Sequence, residues 1–361
     1  MSVVLSTLAL SSTVRGAEGK LILDKRLSPL PTKLLGPFVH TTDGGILALD
    51  AKATFVSSDD GHTWSEPRPL FKDGIDITVS RERQLLRTRS GTLIAAFMNL
   101  NERHWTWNDE LHDAPGAKLP TYAMRSTDDG LTWDHVQKLH DDWSGCVRDM
   151  IQTSEGRVIF TAMKMQHHPG RHAVLTYSST DDGQTWRASN LIDLGGKGHH
   201  GGVTEPAITE LGDGRVWMLI RTNWGQFWSG YSHDGGRNWR VLQPSGIEAS
   251  SAPGIMTRLA SGRLMLAWNR PLPEGKEHWP KRGGDGLWSE VPVSNFREEL
   301  SIAFSDDDGH RWSKPEVIAR QKGASLAYPY VFEIEPGRIW LTTMQGDVRV
   351  ELHEGDFVDS N

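Results

Sequence analysis

Five octapeptides of the form Ser-x-Asp-x-Gly-x-Thr-Trp constrain this chain more than any other feature. They are SSDDGHTW from Ser57, STDDGLTW from Ser126, STDDGQTW from Ser179, SHDGGRNW from Ser232 and SDDDGHRW from Ser305, the last two with Asn238 and Arg311 in the Thr position. Successive copies begin 69, 53, 53 and 73 residues apart, so the repeating unit is roughly fifty residues with two enlarged copies. Each box follows a β-like segment and reads as a hairpin turn. The Asp bonds amides of its own turn, the Gly takes a positive φ, and the Trp packs back onto the sheet. With that chemistry consumed locally, the boxes are structural rather than catalytic.

A second periodic feature precedes each box. Pairs of apolar segments meet at Gly45, Gly91, Gly156, Gly214, Gly262 and Gly337, which makes six hairpins, one more than the number of boxes. Strand, Gly turn, strand, strand, box turn, strand is a four-stranded antiparallel unit. Six of them predict an all-β chain folded as a six-bladed β-propeller, a single domain over residues 18–361. The sixth unit ends near Asp356 without a box, leaving Lys20–Leu27 to supply its outer strand and close the ring. Two long insertions, Asn99–Tyr122 and Arg270–Arg297, are rich in Trp, Pro and charge, and their aromatics suit either stacking on a sugar ring or packing at the rim.

Composition narrows the partners. A formal charge of -7 leaves no basic footprint for nucleic acid, so an anionic ligand needs a local arginine cluster. Cys146 is the only cysteine, which excludes an intramolecular disulfide and reads as a small buried hydrophobe. Residues 1–17, a short apolar run followed by small residues, read as the remnant of a secretory signal and so predict export to the periplasm or the exterior. No other segment is long and apolar enough to span a bilayer.

The five boxes are the Asp-box signature, and with the six hairpins they make the chain from about residue 20 onward resemble the sialidase (neuraminidase) superfamily. That resemblance implies roles for particular residues. Glu205 and Arg221 stand where the family has a Glu opening the fourth blade's inner strand and an Arg ending the next. Arg297 matches an arginine of the fifth blade, and Tyr328 matches the nucleophilic Tyr of the sixth. Glu205 and Tyr328 share a register, nine residues before Gly214 and Gly337, and therefore face one central cavity. A tyrosine is a poor nucleophile near neutral pH, and a neighbouring Glu acting as base corrects this. A neutral phenol also avoids driving a carboxylate at the anomeric centre of an anionic sugar, and Arg221 and Arg297 would hold that sugar's carboxylate. The function implied is a retaining exo-glycosidase that removes a terminal acidic sugar, sialic acid above all, from glycoconjugates, with no cofactor and no metal.

The resemblance stops at the first blade. Where the family has an Arg-Ile-Pro motif this chain reads Leu35-Gly36-Pro37, and the family's acid/base loop is almost absent, with Asp50 the nearby carboxylate. Arg81 and Arg83 on the second blade and Arg148 on the third are candidates to complete an anion site, and Asp109, Glu110 and Asp113 are candidate acids. His199 and His200, in a Gly-rich loop without Walker spacing, are candidate rim contacts; the cluster His167, His168, His172 lacks the helical His pair of a zinc protease. Two other readings fit the same residues: action on another uronic-acid-like sugar by hydrolysis or elimination, and a non-catalytic glycan-binding propeller.

Overall fold

The structure, a computed structural model, describes residues 19–72 and 74–358, so the signal reading of residues 1–17 lies outside the described residues. Six four-stranded antiparallel arrays follow one another along the chain. Blade 1 spans residues 38–69, blade 2 residues 79–140, blade 3 residues 147–188, blade 4 residues 204–248, blade 5 residues 255–320 and blade 6 residues 327–353. In blades 1 to 5 the first two strands meet at the predicted Gly turn and the last two at the box.

The second strands explain why the sheets stack. Ile46–Leu49, Leu93–Asn99, Val216–Arg221 and Leu264–Trp268 are buried at every position, which a strand achieves only when both of its faces are covered. The apolar clusters accordingly lie between neighbouring blades rather than on the axis. One joins blades 1 and 2 through Leu47, Leu93 and Phe97, and another joins blades 6 and 1 through Trp340, Ile46 and Phe38.

Ring closure differs from the expectation in its division of labour. Ser28–Pro29 pairs with Val350 and Glu351 and supplies the outer strand of blade 6, while Ile22–Leu23 pairs with Ala319 and Arg320 as a fifth strand of blade 5. One run of about eight residues therefore covers two open sheet edges where a single strand on blade 6 was expected.

The boxes behave as turns, with one addition. In the blade-2 box, Ser126 Oγ accepts from Gly130 N (2.9 Å) and Asp128 accepts from both the amide and the hydroxyl of Thr132 (2.9 and 2.6 Å). Asp129 and Gly130 both have positive φ (55° and 73°), the second readily supplied by glycine. Where the fourth box residue is Asp, it also reaches the preceding blade. Asp182 accepts from Ser90 Oγ (2.6 Å), Asp308 from Gly212 N (2.8 Å), and Asp60 from Arg338 Nη1 (3.0 Å).

Candidate active site

Glu205 and Tyr328 meet at the axis. Tyr328 Oη donates to Glu205 Oε1 at 2.8 Å. Arg221 Nη1 donates to Glu205 Oε2 and lies 3.4 Å from Tyr328 Oη, while its Nη2 donates to Ser251 Oγ at 2.9 Å. Arg297 donates to the Ser251 carbonyl (2.6 Å) and to Gln345 Oε1 (2.9 Å), with its guanidinium 5.6 Å from the Tyr328 ring centre. The Nε atoms of Arg221 and Arg297, like Nε and Nη1 of Arg148, are buried without a hydrogen-bond partner.

The local backbone aims these side chains. Glu205 and Tyr328 both adopt a left-handed backbone (φ 44° and 62°), and each is followed by a proline, Pro206 and Pro329. Left-handed non-glycine residues are strained and persist where surrounding structure over-determines them, a condition concentrated at functional sites. In blades 2, 3 and 4 the inner strand slips register near its start, between Val79 and Arg83, between Val147 and Met150, and between Thr204 and Ala207. Such bulges re-aim side chains, here toward the axis.

The electrostatics separate the two partners. Burial alone would raise the Glu205 carboxyl, but the charge and hydrogen bond of Arg221 outweigh it and hold the group below its ordinary value. Burial, reinforced by the Glu205 charge, pushes the Tyr328 phenol up. The phenol is neutral at rest, and its proton already points at a carboxylate able to take it.

Other predicted residues fall into three groups. Arg83 is 2% exposed and its guanidinium donates to the carbonyls of Leu49, Ser80 and Gly36 and to Asp50 (3.0 to 3.1 Å). It therefore stitches blade 1 to blade 2 and is not a substrate ligand, and its partner Asp50, with a side chain 54% exposed, is an ion-pair residue rather than the acid. Arg148 is wholly buried, lies beside the rings of Tyr328 and Tyr330, and donates to the Pro329 carbonyl. It braces the tyrosine segment through that one bond, with its Nε and Nη1 buried and without a hydrogen-bond partner. Arg81 is exposed and bound to the Met344 carbonyl at 2.7 Å, next to the small cluster that holds Tyr328.

His200 is accessible yet enclosed by protein, which is the signature of a wall in a concavity. Burial, helped by the charge of Arg221, holds its imidazole well below the ordinary value. It stacks on Trp288 of the second insertion (4.8 Å), and Trp107 of the first insertion meets His199 edge-on (5.7 Å). Backbone bonds from His199 and His200 to Leu287 and Trp288 (2.8 Å each) tie these loops into one aromatic roof. Asp113 is buried against His167 (2.8 Å), His172 Nε2 donates to the His199 carbonyl (3.0 Å), and Asp109 and Glu110 are exposed. Among the described residues no three His, Cys, Asp or Glu side chains are grouped as a ligand set.

One residue of the cluster had not been singled out: Glu82. It stands nine residues before Gly91, the same register as Glu205 and Tyr328, so extending that count to blade 2 would have found it. Its charge is felt at Glu205, Tyr328, Tyr330 and Cys146. A separate cavity of about 730 Å³ opens on the turn-glycine side of the axis, lined by Gln84, Asp149, Thr209, Gly214 and Tyr330. Neither Glu205 nor Tyr328 lines it, so this cavity is not the chemical site.

Residues 85–341 match the BNR repeat-like domain family. Among solved structures, a protein of unknown function from Dyadobacter fermentans superposes with a TM-score of 0.60 at 16% identity, covering 93% of this chain and 97% of that one. The NanB sialidase from Streptococcus pneumoniae aligns with a TM-score of 0.57 at 14% identity over 93% of this chain and 70% of its own. The α-L-arabinofuranosidase Arb93a from Fusarium graminearum gives 0.57 at 12% identity over 94% and 100%. No curated protein sequence matches the chain. At such identities the likeness establishes the sialidase-like six-bladed fold alone.

Proposed function

The chain belongs to the BNR repeat-like domain family, and from that premise we propose that it is a retaining exo-glycosidase releasing a terminal acidic sugar, sialic acid first, from glycoconjugates. The observation that carries this reading is the Tyr328–Glu205 hydrogen bond of 2.8 Å under the guanidinium of Arg221. A scaffold or lectin propeller has no use for a buried phenol aimed at an ionised carboxylate. Tyr328 Oη attacks the anomeric carbon while its proton passes to Glu205, and a glycosyl-tyrosine forms as the bond to the leaving oxygen breaks. Arg221 and Arg297 hold the sugar carboxylate with charge-assisted hydrogen bonds. In the roof, Trp107 and His200, the latter backed by the buried Trp288, offer flat surfaces to the rest of the glycan. The secretory reading of residues 1–17 belongs to the same proposal.

The test is turnover of aryl glycosides, a sialoside and a uronide, by the wild type and by Tyr328→Phe. The expected result is sialoside cleavage with net retention and a loss on the order of 10³-fold or more in kcat for the variant. Full activity of Tyr328→Phe would sink the covalent mechanism. The uronide reading is kept because Arg83 is spent within the protein and Arg148 is wholly buried beside Tyr328 and Tyr330, leaving two cavity arginines rather than three. Release from the uronide but not the sialoside would establish it.

A further inference from the structure

The site described so far has a nucleophile and its base but no acid. A glycoside with an alkyl leaving group needs a proton delivered to the departing oxygen, because an alkoxide leaves poorly. The first-blade candidate is committed elsewhere, since Asp50 is paired with Arg83. Asp113 is paired with His167 and caps Ala114 N at 2.7 Å. Asp149, buried between blades 3 and 4, accepts from Met150 N and Ile208 N at 2.8 Å each. Asp109 and Glu110 are exposed on the first insertion.

Glu82 differs from all of these. It is half-buried as a residue, yet its Oε2 is buried and has no hydrogen-bond partner. It starts the inner strand of blade 2 within the bulge between Val79 and Arg83, flanked by Arg81, which turns outward to Met344, and Arg83, which turns into blade 1. Glu82, Glu205 and Tyr328 occupy one register position on blades 2, 4 and 6, alternate members of a ring of six, and so converge on the axis from three directions. An oxygen placed there with nothing to bind is a group waiting for a ligand.

We infer that Glu82 is the general acid of the first chemical step and the general base of the second, an assignment that rests on the glycosidase reading above. In the first step Tyr328 Oη bonds to the anomeric carbon and its proton goes to Glu205. The bond from that carbon to the leaving oxygen breaks, and Glu82 gives its carboxyl proton to that oxygen. In the second step the Glu82 carboxylate takes a proton from water as the water oxygen attacks the anomeric carbon. The tyrosyl bond breaks, and Glu205 returns its proton to the phenolate. The sum is glycoside plus water giving free sugar plus alcohol.

The protonation states fit these roles. Burial, and then the negative charge of Glu205, push the Glu82 carboxyl well above the ordinary range against the pull of Arg148, Arg221 and Arg297. Two carboxyl groups whose surroundings drive them apart in this way divide the work of acid and base between them.

The experiment compares the wild type, Glu82→Gln and Tyr328→Phe on the sugar that the wild type cleaves, presented both as a nitrophenyl and as an alkyl glycoside. For Glu82→Gln the expected loss is roughly 10³-fold on the alkyl glycoside and less than about tenfold in the first step on the nitrophenyl glycoside, whose leaving group needs no proton. Azide, which attacks without a base, is expected to restore nitrophenyl turnover and give a glycosyl azide, and the alkaline limb of the pH profile should vanish. Equal losses on both substrates with that limb retained would overturn the role of Glu82 and leave Tyr328 untouched. Conversely, an active Tyr328→Phe beside a leaving-group-dependent Glu82→Gln would remove the nucleophile and keep the acid. No turnover of any glycoside by the wild type would end both. Should Glu82→Gln fail to fold, Glu82→Asp serves instead: it keeps a proton donor and should retain the wild-type leaving-group pattern at a reduced rate, whereas loss of that pattern would count against the assignment.

Discussion

Arg221 sits between a carboxylate and a phenol, and its fork is what keeps the two in register. Nη1 serves Glu205 and Tyr328 while Nη2 is fixed by Ser251, whose hydroxyl in turn donates to Asn223 Oδ1 at 2.7 Å. Lysine, a point charge on a flexible stem, cannot make that set of contacts. Because the Glu205 carboxyl is held low, its catalytic base form persists into acid, and the acid limb of kcat/KM should lie below the ordinary carboxylate range. In Arg221→Lys that limb is expected to rise by about one pH unit or more, with kcat/KM down on the order of 10²-fold. A pH–rate series on both proteins checks this; an unmoved limb would assign the low value to some other charge. The sign for stability is the same: a carboxyl depressed by folding contributes stability above its unfolded value, and loses it as pH falls through the folded one.

At the scale of elements, the box is a staple as well as a turn. Its Ser and first Asp close the hairpin, its Trp covers the blade, and its fourth residue, where it is Asp, holds the blade before it. Trp239 shows the reach of the motif, being 2% exposed with its indole N–H on Thr176 Oγ1 of blade 3 at 3.0 Å. Ser126→Ala leaves the buried Gly130 amide without its acceptor, and is expected to cost about 1–3 kcal/mol of unfolding free energy while kcat is unchanged. Denaturant titration together with an activity assay decides it, and a large loss of kcat would give the box a catalytic role that its distance along the blade argues against. The local part of this element was legible in eight residues, because the Asp and Ser bonds span only two to four positions. The link to the neighbouring blade was not, since it joins residues such as Ser90 and Asp182 that only stacking brings together.

For the whole molecule, the ring is closed by chain that precedes blade 1. Ser28–Pro29 completes blade 6, Ile22–Leu23 extends blade 5, and Leu27 and Leu30 are each 9% exposed in the seams. Removing residues 19–30 opens two sheet edges and takes away the burial of both leucines, at about 1.5–3 kcal/mol for each. The expected outcome is a Tm lowered by roughly 5–10 °C, with soluble aggregates visible by light scattering. An unchanged Tm would mean that the ring closes without this segment.

What could be read in advance was whatever obeys a local period. Boxes and Gly turns carry their own hydrogen bonds and signs of φ, so their spacing alone counted the blades; register counted back from Gly214 and Gly337 then paired Glu205 with Tyr328, since inner strands counted from equivalent turns deliver equivalent positions to the same place. What could not be read was the direction of a side chain inside a bulge. Arg81, Glu82 and Arg83 are consecutive, yet one turns out to Met344, one to the axis and one into blade 1. A slipped register breaks the strict alternation of a strand, so which of three neighbours enters the cavity depends on the blades packed against it. The same packing spent Arg83 on carbonyl groups of blade 1 and its own strand, set Arg148 Nη2 on the Pro329 carbonyl of blade 6, and left Glu82 Oε2 with no partner.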